Sequence, residues 1–358
     1  KWCDAVGSKL LDSRLNPEDV LKGSFVPVSV AERPKKMPIG IEWPDIFYRE
    51  PEQAFAFEIG DETFHPHDAE IELVGASETD PLVFSVSAVD ASAEFELKLH
   101  KTDGNPDYTI EVRDKSNARI KHRGKESSLA EFFEENVPTI WFADGSSLIG
   151  VEYVELRAKP DPFPPDRIEA WDWTGTDIRI ESQGIKKNAK SIQHRVIREL
   201  KKRAEQTVIF DDDDKGESAD VVGITEGDDQ IEVEFWHCKF ASGDQPGARI
   251  KELYELCGQA QKSIRWIEKQ RDLFTHLLRR EPRRHSGAEA TRYEKGKESD
   301  LMRIREKSDL QRVLLKVVII QPGLSKAGVS REQLELMAVT ENYLMETFAI
   351  PFRIISSA

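Results

Sequence analysis

Two short apolar runs carry the residues of this chain whose types and spacing could do chemistry. Ile209-Phe210 leads into Asp211-Asp212-Asp213-Asp214-Lys215-Gly216-Glu217-Ser218-Ala219-Asp220, and Val221-Val222-Gly223-Ile224 follows directly. The second run, Ile231 to Phe240, contains His237-Cys238-Lys239 near its end. Carboxylates at the end of one run and a lysine inside the next suit a divalent cation held against a phosphate. Such a cation takes oxygen ligands, and a hydrolytic water beside it benefits from a positive neighbour. Side chains two apart on a strand share a face, so His237 and Lys239 point into one site. A lysine buried in an apolar strand without a task is costly, which marks Lys239 as functional. Asp220 is read as a metal ligand, with Glu217 or Asp212 adding charge. Asp213 and Asp214 read as a solvated acidic turn.

The elements that must position these groups follow from the hydrophobic pattern. From Gly40 to Leu156, short alternating runs (54–59, 69–74, 82–86, 95–99, 108–112 and 150–156) predict strands separated by turns such as Asp103-Gly104-Asn105-Pro106. One helix is expected at 128–136, capped by Ser127 or Ser128. Ala158 to Asp166 holds four prolines in nine residues and reads as a stiff linker. Beyond it the pattern predicts a helix at 191–203, strands at 207–211, 219–224 and 231–240, and a long helix from 247 to about 278. A polar, basic stretch, a strand at 313–320, a helix at 331–347 and a last strand at 352–355 complete the order. The expected organisation is a helical or extended connector (1–40, with a short helix at 2–11), an acidic β-rich domain (41–157), a Pro-rich linker (158–167) and an α/β domain (168–358).

Bulk composition narrows the function. With 39% hydrophobic and 33% charged residues, the 358-residue chain has the make-up of a globular protein on the polar side. No apolar run reaches membrane-spanning length and no signal peptide opens the sequence, so a cytoplasmic protein is expected, without a membrane partner. Lys1-Trp2-Cys3 suggests a fragment or processed chain. Three cysteines without C-x-x-C spacing argue against a disulfide scaffold or structural zinc. His65-Pro66-His67 has no third ligand nearby, and no Walker, nucleophile-elbow or dinucleotide-binding motif is present. The net charge of −15 conceals an asymmetry: 41–100 carries 15 acidic residues against two basic ones, whereas 262–312 carries 15 basic against nine acidic. Arg279, Arg280, Arg283 and Arg284 in that basic stretch are candidate phosphate contacts. Trp171, Trp173 and Trp236 read as core rather than base-stacking platforms.

The order helix, three strands, helix, strand, helix, strand, with an acid entering the second strand and a lysine on the third, resembles the PD-(D/E)xK nuclease superfamily over residues 187–358. The resemblance implies an α/β nuclease core (αβββαβαβ, mixed sheet) behind a mostly antiparallel β-rich domain. Asp220 matches the family's Asp and Lys239 its Lys, but position 237 is His where the family has an acidic residue. It implies Asp220 and Glu217 as ligands of Mg²⁺ or Mn²⁺, with the backbone carbonyl of Cys238 as a further ligand. Lys239, His237 and Gln259 become catalytic groups, and Gln193, Lys262 and Arg265 contacts to nucleic acid. Gln193 and Glu199 stand on the first helix, where the family places groups near the metal. The phrases Gly247-Ala248-Arg249-Ile250, Gly258 to Trp266 and Ile41-Glu42-Trp43-Pro44 are similar to C-terminal regions of large bacterial helicase-like proteins of phage defence. The implied activity is metal-dependent DNA cleavage, endonucleolytic rather than exonucleolytic, coupled to a helicase or other subunit. The alternative is a degenerate nuclease fold that binds nucleic acid or a partner without cutting, which His237 favours.

Overall fold

The computed structural model describes residues 27–88, 91–114, 116–155, 161–267, 269–284 and 290–358. The helix expected at 2–11, and the first three residues of the Pro-rich linker (158–160), lie outside them. The chain is mixed α/β, rich in strands, with several antiparallel sheets.

Its second half is built on one seven-stranded sheet. In chain order its elements are β1 (Glu169–Ala170), α1 (Ile192–Lys201), β2 (Val208–Asp211), β3 (Val221–Glu226), β4 (Gln230–Cys238), α2 (Lys251–Lys262), α3 (Gln270–Arg284), β5 (Tyr293–Lys295), α4 (Glu298–Lys307), β6 (Arg312–Ser325), α5 (Arg331–Asn342) and β7 (Phe352–Ser357). The strand order is β1-β7-β6-β4-β3-β2-β5. β2, β3 and β4 pair antiparallel, while β4, β6 and β7 pair parallel. The period of two divides neighbouring residues between two cores. Phe210, Val222, Phe235, Val317 and Ile354 pack with Leu253, Leu256 and Leu336. Ile209, Val221, Trp236, Val318 and Ile355 pack with Val196, Ile197 and Leu200 of α1. The strand β6 is therefore apolar on both faces because both are covered, as its sequence predicts.

Two stretches differ from the sequence reading. The helix expected from 247 to 278 is α2, a 3₁₀ turn at Ser263–Trp266, and then α3. The polar stretch beyond it contains two further elements, β5, which pairs with the edge of β2, and α4, which buries its own Leu301 and Ile304.

The first half has three antiparallel sheets around a core of aromatic rings, Phe47, Phe55, Phe57, Phe84, Phe95, Phe132 and Phe133 among them. The helix Leu129–Glu135 is closed by a capping box between Ser128 and Glu131, as the sequence predicts. The strand Pro38–Glu42 pairs with Thr139–Phe142 and also lies on α2, although residues up to 40 read as a connector. Two glycines permit that approach. A Cβ at Gly258 would stand 2.0 Å from the Ile39 carbonyl oxygen, and one at Gly40 would stand 3.3 Å from the Gly258 Cα. The N-terminal sheets are thereby laid over the edge of the second half where the acidic residues gather. Among the described residues no helix is long and apolar enough to cross a membrane.

Candidate functional site

Register places the key strand residues opposite one another. Val221 on β3 pairs with Trp236 on β4. One position further, Asp220 faces His237, both on the side covered by α2. The Cys238 amide donates to Asp220 Oδ2 at 2.8 Å. The Cys238 thiol is buried on the opposite, α1 side, and burial pushes its pKa well up, so the sulfur is a poor thiolate ligand.

Asp220 is joined by Glu217 and by Asp213. Among the described residues these three form the one cluster able to hold a metal ion, with one ligand oxygen from each within 4.8 Å of the others. Burial, followed by the charges of Asp220 and Asp213, pushes the Glu217 carboxyl well above its usual range. Asp220 is raised in the same sense, by burial and then by Glu181 and Asp213. The set is all oxygen and crowded with like charge, which fits a hard divalent cation better than a soft one. Asp213 corrects the sequence reading of a solvated turn. A run of four aspartates does not reveal which of them reaches the cluster.

Three arginines clamp the loop by its backbone. Arg280 is 3% exposed and pairs with Asp212. It donates from Nη1 to the Lys215 carbonyl at 2.8 Å and from Nη2 to the Asp214 carbonyl at 3.1 Å. Arg292 Nη1 donates to the carbonyls of Asp211 at 3.0 Å and Asp213 at 2.9 Å. Arg265 Nη2 donates to the Glu217 carbonyl at 2.8 Å, and its guanidinium lies over Trp266. Gly216, at φ +77°, makes the reversal, and a Cβ there would meet the Asp68 carbonyl oxygen at 3.1 Å.

This is a correction to the expected nucleic-acid contacts. Arg280 is a buried tie rather than a phosphate ligand, and Arg265 is held to the loop. Arg279 pairs with Glu52 at 3.0 Å. The side chains of Arg283 and Arg284 lie outside the described residues. Gln193 is fully buried, donating to Asp211 Oδ1 at 2.9 Å and to the Asp220 carbonyl at 3.0 Å, so it braces the strand ends and does not face a ligand. Glu199, on the same helix, pairs with Arg195 and Lys202 at the surface.

Lys239 extends from the end of β4 to Glu255 at 2.8 Å and Glu181 at 3.8 Å. Burial works against its charge, but Glu181, Glu255 and Asp220 outweigh it and raise its pKa, so it is a fixed cation. Glu181, which sequence reading missed, also accepts the Phe240 amide at 2.8 Å. It stands in a turn-rich segment where no periodicity marks it.

His237 is 3% exposed. Its Nε2 is 2.9 Å from Ser263 Oγ, and its Nδ1 makes no hydrogen bond among the described residues. Burial, then Arg265 and Lys262, push its pKa down to about 3, so the imidazole is neutral. His237 lines a cavity of about 30 Å³ together with Glu217, Gln259, Lys262 and Arg265. The far wall belongs to the N-terminal half: Glu42, Trp43, Tyr48 and Glu70. That volume holds about one water. Gln259 Oε1 is likewise buried without a partner among the described residues, and Lys262 Nζ donates to the Ile71 carbonyl at 2.8 Å. The structure therefore brings together Asp220, Glu217, His237, Lys239, Gln259 and Lys262, adds Asp213 and Glu181, and removes Gln193 and Arg280 from any ligand.

Compared with known proteins, the chain matches no family model, no curated protein and no solved structure.

Proposed function

We propose that this protein is a metal-dependent nuclease that hydrolyses phosphodiester bonds of DNA, with the acidic cluster as its cation site. The observation that carries the reading is the convergence of Asp213, Glu217 and Asp220, with the fixed cation Lys239 beside Asp220. Asp220, Glu217 and Lys239 belong to the set that the resemblance to the PD-(D/E)xK superfamily implies, and Asp213 is an addition to it. Mg²⁺ or Mn²⁺ fits the oxygen donors, and when bound supplies Lewis-acid polarisation of the phosphate and a water of lowered pKa. Asp213, Glu217 and Asp220 would hold that ion. Lys239 would steady negative charge developing on the phosphate. His237, neutral and held by Ser263, would orient a water or phosphate oxygen through Nδ1 rather than titrate. Arg280, Arg292 and Arg265 keep Asp213 and Glu217 aimed at Asp220.

The same reading has the protein act as an endonuclease in the cytoplasm, joined to a helicase or another subunit in defence against phage. That part is supported by the phrases around Ile41, Gly247 and Gly258 alone. A second reading is favoured by His237: the position that carries an acid in the superfamily holds a buried, uncharged imidazole. On this reading the fold grips nucleic acid or a partner without cutting.

Incubating the purified chain with plasmid and with single-stranded DNA, in Mg²⁺, Mn²⁺ or EDTA, decides between them. Cleavage that needs the metal and disappears in Asp220→Asn supports the first reading. Salt-sensitive binding with no cleavage under any metal supports the second.

A further inference from the structure

A second cavity, of about 440 Å³, opens beside Lys239. It shares Ile41, Gln259 and Lys262 with the water-sized gap next to Glu217 and His237, so the two spaces have a common wall. Its floor is α2, its roof is the strand Pro38–Glu42 with the segment Glu72–Ala76, and the Gly40–Gly258 backbone contact fixes one against the other. The larger space is of the size that small-molecule ligands occupy.

Its lining has the chemistry of a nucleoside phosphate. Lys239, Lys251 and Lys262 converge on it against Glu72 and Glu255, three positive groups against two negative, a net of +1. Lys251 makes no ion pair among the described residues, whereas Lys239 is held by Glu255 and Glu181. Tyr254 presents a ring on the same wall, its hydroxyl turned to Glu332 at 3.2 Å. Gln259 lines both spaces, and its side-chain carbonyl oxygen has no hydrogen-bond partner among the described residues.

The N-terminal roof also limits what can arrive. The gap beside Glu217 holds about one water, whereas the larger cavity on the other side of the shared wall has room for a phosphate. That cavity has room for one nucleotide and not for a base pair. We infer that it receives a single unpaired nucleotide of the substrate strand, its base on Tyr254 and its phosphate on Lys251 and Lys262. The enzyme is thereby directed to single-stranded DNA or to frayed and flipped positions. This inference rests on the nuclease reading for its substrate, but the cavity can be tested without cleavage.

The probe is deoxyadenosine 5′-monophosphate, titrated calorimetrically into the full chain in EDTA, followed by cleavage assays on one oligonucleotide as single strand and as duplex. The nucleotide is expected to bind. Lys251→Glu and Tyr254→Ala should each weaken it about tenfold, a loss of about 1.4 kcal/mol, at a temperature where both variants are folded. It should raise KM for the single strand without changing kcat, and the single strand should be cut about tenfold faster than the duplex. A nucleotide that alters kcat and leaves KM alone would mark a separate effector site and overturn the inference. So would absence of binding, binding indifferent to both substitutions, or equal cleavage of duplex and single strand. Nucleotide binding with the expected variant effects but no cleavage of any DNA keeps the cavity and removes the nuclease reading. Metal-dependent cleavage without nucleotide binding does the reverse.

Discussion

Asp220 accepts a hydrogen bond from the Cys238 amide at 2.8 Å, across the place where β3 and β4 diverge. A carboxylate at the mouth of the strand pair is thus tied to the strand that delivers Lys239, and its remaining lone pairs are left to face Asp213 and Glu217. One interaction sets both the spacing of acid and lysine and the direction of the acid.

The first prediction concerns that acid. Asp220→Asn keeps the shape and one acceptor but removes a charge that the cation would need. Cleavage should fall by roughly a hundredfold or more, given several kcal/mol of metal-derived stabilisation. The rise in thermal midpoint on adding Mg²⁺ should shrink with it, because only the folded state offers the site. Asn at full activity would take Asp220 out of the mechanism. Without metal, the variant should be at least as stable as the wild type, since crowding with Glu181 and Asp213 disfavours the charged form.

Asp213 gives a sharper test, because nothing in the sequence distinguishes it from Asp214. The structure does: Asp213 joins the cluster, while Asp214 is exposed. Asp213→Asn should raise the Mg²⁺ concentration needed for half-maximal activity about tenfold. Asp214→Asn should leave it unchanged. Equal effects from the two would mean that the run acts only through its summed charge.

The strands of the second half were legible because their apolar residues alternate between two covered faces; periodicity also set His237 and Lys239 on one face, whereas Asp220 was matched with Lys239 through the family resemblance. What periodicity could not show were ties between distant segments. Ile264 and Ile267 continue the apolar rhythm of α2, yet the helix tightens there as Ser263, Arg265 and Trp266 meet His237, the Glu217 carbonyl and the His67 ring. Arg280 and Arg292 look in sequence like any cations of a basic stretch. Their partners are carbonyls of residues 211–215, some 70 positions away, and only the fold brings them together. Glu70 and Glu42, on strands of the N-terminal half, had no visible link to the site that they help to wall.

Glu42 predicts a pH dependence of stability. It is buried, and accepts from Trp141 Nε1 at 3.1 Å and from the Tyr48 hydroxyl at 3.2 Å. Burial pushes its pKa up to about 7 from 4.5, only partly offset by those hydrogen bonds. A carboxyl whose folded pKa is raised stabilises most below the unfolded value and loses that contribution as pH climbs toward the folded one. Stability should therefore decline from about pH 4.5 and level off above about 7, with a slope of at most about 1.4 kcal/mol per pH unit in between. Glu42→Gln should flatten this part of the profile, measured by denaturant midpoints across that range. An unchanged slope would place the ionisation elsewhere.

The last prediction separates the two roles open to the basic stretch. A phosphate-binding arginine, once removed, weakens DNA binding and lowers the slope of log affinity against log salt by about one. A buried tie, once removed, leaves that slope alone and costs stability. Arg280 is 3% exposed, paired with the fully buried Asp212 and bonded to loop carbonyls. Arg280→Met keeps most of its volume but strands Asp212 and frees the loop. The variant should lose about 3–5 kcal/mol of stability, the usual result of breaking one side of a buried pair. Its Mg²⁺-dependent gain in thermal midpoint should also fall, because Asp213 and Glu217 are no longer held toward Asp220. The salt slope of DNA binding, measured by fluorescence anisotropy at a temperature where the variant is folded, should match the wild type. A stable variant with a reduced salt slope would return Arg280 to the nucleic-acid surface and leave the acidic loop without its clamp.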